Sequence, residues 1–132
     1  MSRPNSYQDS TTDKILYLSF GSGVDGTDLS GKIKISVLDA NGNLLAGRHL
    51  VHVWISTSEY AAVAAQSSLG LDSTDSSVVV DTITAAGDVL IQTDTDGEID
   101  SVYIEVAGAD TIYVMAQIGG TIYTGSVAIT GT

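Results

Sequence analysis

Apolar and polar residues alternate along much of this chain with a period of two, the repeat of a strand buried on one face. Residues 32–38 (KIKISVL) show it most cleanly, with Ile33, Ile35 and Val37 on one side and Lys32, Lys34 and Ser36 on the other. Seven further runs read as strands: 14–20, 49–56, 78–84, 89–93, 99–106, 111–118 and 121–129. They are rich in Val, Ile, Thr and Tyr, the residues that suit a pleated surface. Turn residues punctuate them. Asn41-Gly42 and Asp96-Gly97 supply positive φ cheaply and read as hairpin turns, and Gly119-Gly120 joins the last two runs as a two-residue hairpin. Residues 59–66 (EYAAVAAQ) are the one helix-permissive stretch, with room for two turns at most. Residues 69–77 read as polar loop.

Short strands at this spacing, without βα alternation, predict an all-β antiparallel sandwich of about 7–9 strands with at most one short helix near 59–66. Residues 1–13 (MSRPNSYQDSTTD) have no apolar periodicity and read as an extended N-terminal arm on a single domain spanning 14–132. The arm lacks the apolar core of a signal peptide, so synthesis without an N-terminal export signal is expected. No apolar run approaches the roughly 20 residues that span a bilayer as a helix.

Charge narrows the partners. The five basic residues, Arg3, Lys14, Lys32, Lys34 and Arg48, all precede position 49, and 11 of the 16 acids follow it. The net charge of −11 therefore resides in the part of the chain that carries no Lys or Arg. Such a surface repels phosphate backbones and anionic lipid, so neither nucleic acid nor membrane is an expected partner. The absence of Cys removes disulfides, thiolate metal sites and cysteine nucleophiles.

Candidate chemistry is sparse. His49 and His52 are three apart, which in a strand turns them to opposite faces and away from a shared metal. The Gly21-Ser22-Gly23 loop lacks the spacing of a nucleophile elbow. Asp94, Asp96, Glu98 and Asp100 form a weak Ca²⁺ candidate; Gly97 follows only two acids, and Tyr103 stands where an EF-hand needs Glu. Asp39, Asn41 and Asn43 begin a similar spacing, with Leu44 where Gly is required. No aromatic-lined sugar cleft is expected from one Trp and one Phe, and no phosphate loop occurs. Trp54 reads as a core residue, and Tyr103, Tyr113 and Tyr123 as core-edge or interface residues. No enzyme activity and no cofactor are expected.

Residues 35–47 (ISVLDANGNLLAG), 90–98 (LIQTDTDGE) and 111–116 (TIYVMA) resemble, in order, the opening turn, a later turn and the closing strands of bacterial Ig-like domains of the invasin and intimin type. Residues 49–56 (HLVHVWIS) are similar to a strand of small virion proteins of tailed bacteriophages. The resemblance implies an Ig-like sandwich and a virion structural protein, made in the host cytoplasm and placed on the capsid surface. Its expected role is capsid decoration: a cement protein that binds the major capsid protein lattice and stabilises the head. A tail or head-fibre component and a bacterial adhesion or carbohydrate-binding module are the alternatives. Other virion subunits and a second copy of the chain are the expected partners. Arg3, Pro4 and Tyr7 of the arm and the adjoining Lys14 are the candidate contact residues, since a polar segment carrying Arg3 and Lys14 can pair with acids on a neighbour.

Overall fold

A computed structural model of the chain describes residues 17–22, 29–72, 75–108 and 110–129, the first of these by backbone alone. The arm, with Arg3, Pro4, Tyr7 and Lys14, lies outside the described residues. Among the described residues, nine strands form two antiparallel sheets: β1 (Tyr17–Ser22), β2 (Ser30–Leu38), β3 (Leu50–Ser56), β4 (Ser68–Leu71), β5 (Val78–Thr84), β6 (Asp88–Gln92), β7 (Glu98–Glu105), β8 (Asp110–Ile118) and β9 (Thr121–Ile129). One sheet runs β1-β2-β7-β4 and the other β5-β6-β3-β8-β9. Among the described residues none is helical, and no helix is long and apolar enough to cross a membrane.

The two sheets close over an aliphatic core. Ile33, Ile35 and Val37 of β2 face Val51, Val53 and Ile55 of β3, joined by Ile99, Val102 and Ile104 of β7 and Ile112 and Val114 of β8. Alternation along each strand makes this possible, because every second side chain turns inward. Gly31 brings β2 close to β9: a Cβ there would sit 2.8 Å from the Val127 side chain.

The spatial order of the strands is that of a variable-type immunoglobulin sandwich, A-B-E-D against C″-C′-C-F-G. The path between the third and seventh strands differs. The chain leaves β3 for the far edge of the four-stranded sheet, then returns as the β5–β6 hairpin on the other. Three sequence expectations change as a result. Residues 69–71, read as part of a loop, belong to strand β4, which pairs with β7. The helix-permissive residues 59–66 make a turn at 59–60 and an irregular crossover beyond it instead. Tyr60 takes a left-handed φ of 58°, and the Ala64 and Gln66 amides donate to the Ile55 and Ala86 carbonyls. Eight residues cannot hold a helix against such partners. The Asp96-Gly97 turn is no hairpin, because β6 and β7 belong to different sheets. By contrast Gly119-Gly120 does close the β8–β9 hairpin, with φ of 63° at Gly119 as a type II′ turn requires at its first central position.

Candidate functional site

The acidic turn is built by its own backbone. Asp94 Oδ1 accepts from the amides of Asp96 (2.9 Å) and Glu98 (3.0 Å), and the Asp94 amide donates to the Glu98 carbonyl. Gly97 follows with φ of 82°, and a Cβ there would meet the Leu45 carbonyl oxygen at 2.2 Å. The neighbouring crossover locks onto this turn. Val37 and Gly47 donate to the carbonyls of Gly97 and Thr95, and His49 Nε2 lies 2.9 Å from the Leu45 carbonyl. Thr93, fully buried, accepts from the His49 amide, and Arg48 reaches the Thr93 carbonyl.

Within the cluster, one carboxylate oxygen from each of Asp94, Asp96 and Glu98 lies within 4.8 Å of the others; Asp100 is outside that group. Three such oxygens are half of what Ca²⁺ takes from its surroundings. Two of these carboxylates are engaged already. Glu98 Oε2 holds the Lys34 ammonium at 3.0 Å and the Ser36 hydroxyl at 3.4 Å, while Asp94 Oδ1 caps the turn. The hydrogen bond to Glu98, aided by the charges of Glu98, Asp100 and Asp94, raises the Lys34 pKa above the ordinary lysine range against the opposing effect of burial. Asp100, 4.0 Å from the same ammonium, is raised too; burial is the main cause, followed by the negative charges of Asp94, Asp75 and Glu98. Lys34 thus occupies one carboxylate of the group and links β2 to β7. Lys32 does the same for the chain after β4, through Asp72 at 2.6 Å.

The histidines part company as their spacing predicts. His49 belongs to the turn just described. His52 lies on the outer face of the five-stranded sheet, with Nε2 2.5 Å from Asp88 Oδ1 and its ring 4.8 Å from that of Trp54. Trp54 is half-buried on this outer face, not in the inter-sheet core, and its indole N–H donates to the Ala61 carbonyl of the 59–66 crossover. Sequence reading missed this His52–Asp88–Trp54 group. Asp88 opens β6 and becomes a neighbour only through the pairing that sets Trp54 against Asp88. Tyr103, Tyr113 and Tyr123 are all half-buried.

No family model and no curated protein matches the sequence. Among solved structures, the fold is similar to part of a β-glucuronidase from glycoside hydrolase family 2, with a TM-score of 0.53 and 15% identity. The match takes in 94% of this chain and 12% of that one, so the chain spans about an eighth of the length of that enzyme. At this identity the likeness is one of fold, a β-sandwich, and it carries no catalytic residue across.

Proposed function

We propose that the protein is a structural subunit of a tailed-bacteriophage virion, a capsid decoration protein that binds the major capsid protein lattice and stabilises the head. The observation that carries this reading is how the side chains able to do chemistry are used. Asp94, Asp75, Asp39, Thr93, His49 and Arg48 each bond to backbone and brace a turn or crossover. Lys34 and His52 are spent on Glu98 and Asp88. A sandwich braced in this way suits a rigid part that carries load between larger subunits. The resemblance of residues 49–56 to phage virion proteins supplies the partner.

On this reading the acidic sandwich faces solvent, and the arm, with Arg3 and Lys14, reaches the shell. Added buried interface at subunit junctions would then oppose the pressure of packaged DNA. Cosedimentation tests it. Purified protein mixed with capsids assembled without it is expected to pellet saturably, at a fixed ratio to the capsid protein. Failure to pellet at any concentration, with binding to a glycan panel instead, would replace decoration by a carbohydrate-binding role.

A further inference from the structure

Sheet edges are where a β-protein either defends itself or invites a partner, because one row of backbone N–H and C=O groups is left over. Of the four described edges, β1 is short, at six residues, and the other three differ sharply. β5 is interrupted twice, between Val79 and Asp81 and between Thr82 and Thr84, and it carries Asp81. Bulges and a charge are the usual devices that blunt an edge. β4 is only four residues long and runs into Asp72. β9 has none of these devices. Its nine residues (TIYTGSVAI) pair with β8 in unbroken register and contain no charge and no Pro.

The hairpin fixes which groups are left over. In a two-residue hairpin the flanking pair, Ile118 with Thr121, is the hydrogen-bonded one, and the ladder alternates from there. Thr121, Tyr123, Gly125, Val127 and Ile129 thus turn their backbone groups to β8. Ile122, Thr124, Ser126 and Ala128 turn theirs outward, where no strand among the described residues pairs with them.

We infer that this edge is a self-association surface, joining two copies β9 to β9 in antiparallel fashion across a two-fold axis. Two observations select a second copy as the occupant. The first is charge. In a chain of net charge −11, β8 and β9 together carry a single Asp, Glu, Lys or Arg, namely Asp110, opposite Ile129 at the far end of the pair. Two acidic molecules can meet along this seam without opposing carboxylates. The second is self-complementarity. The outward-bonding set is symmetric about Gly125, so one register sets Ile122 against Ala128 and Thr124 against Ser126 of the other copy. Gly125 then meets Gly125 on the axis, where strands approach closest and a side chain would crowd. Side chains at 122, 126 and 128 are exposed, small or β-branched, and uncharged, as cross-strand pairs favour. The two five-stranded sheets become one of ten strands. The proposal stands apart from the capsid reading, since a dimer of this kind forms whatever the protein decorates.

The test is sedimentation equilibrium on the full chain from about 1 µM to about 1 mM. A species at twice the 13.6 kDa chain mass is expected. Ser126→Lys, which puts a charge on the seam, and Ser126→Pro, which removes one outward N–H, are each expected to weaken association about tenfold or more while circular dichroism stays native. Val80→Lys on β5 should leave the dimer intact. On the unaltered protein, the amides of Ile122, Thr124, Ser126 and Ala128 should exchange more slowly as concentration rises. A monomer throughout that range, fast exchange of those four amides at every concentration, or a dimer indifferent to both Ser126 variants would overturn the inference. So would loss of the dimer on deleting residues 2–13, which would make the arm the bond between copies.

Discussion

Gly97 concentrates the local demands of this fold into one position. Its φ of 82° disfavours any side chain, and the Leu45 carbonyl occupies the space a Cβ would need. Gly97→Ala is therefore expected to cost at least about 2 kcal/mol, combining left-handed strain with a backbone clash. Urea unfolding followed by circular dichroism would measure it, and a loss under 0.5 kcal/mol, the range of an ordinary surface change, would contradict the geometry. Three residues along, Asp100 offers a test through pH. Its pKa is raised on folding, so the ionised form is less welcome in the folded chain than in the unfolded one. The contribution of Asp100 to stability is full below the ordinary aspartate range and is lost as pH rises through its folded value. Asp100→Asn should then melt slightly higher than the parent at pH 7 and the difference should vanish near pH 3. A variant that melts lower at pH 7 would mean that the Lys34 contact outweighs burial and the surrounding acids.

At the scale of elements, Lys34 of β2 lies between Glu98 and Asp100 and adds an ion pair to the backbone ladder that joins β2 and β7. Millimolar Ca²⁺ is expected to leave the melting temperature of the protein unchanged, because Glu98 is held by the ammonium and Asp94 by two amides. A rise of several degrees, saturating with Ca²⁺, would show that the ion displaces the lysine. Elements also mark where sequence patterning stopped being informative. The inward set Ile33, Ile35 and Val37 was legible because period-two alternation is a local property, and so was the Gly119-Gly120 hairpin. The crossover at 59–66 was not. Its Ala-rich composition permits a helix, and only the Ile55 and Ala86 carbonyls, distant in sequence or on another strand, decide against one. The Asp96-Gly97 turn has hairpin chemistry, yet whether the next strand joins the same sheet is settled by the whole core.

The molecule as a whole keeps the strand order of a variable-type sandwich while visiting three of its positions in a different sequence. Composition pointed to the sandwich, and no local signal encodes the order in which strands fill it. The same limit applied to Asp88, 36 residues from His52 in sequence and brought beside His52 and Trp54 only by the β3–β6 pairing. Net charge acts at this scale too: −11 on one small domain favours solubility, and the β8–β9 pair, with Asp110 as its one carboxylate, carries little of it. Deleting residues 1–13 is expected to leave the sandwich folded, with an unchanged β-type circular dichroism spectrum, and to abolish attachment to capsids. Full attachment without the arm would move the contact onto the sandwich. Electron microscopy of capsids lacking the protein, imaged after it is added back, tests decoration most directly. Density repeating at regular positions of the shell lattice is the expected result; bare capsids at saturating protein would contradict the assignment to the virion head.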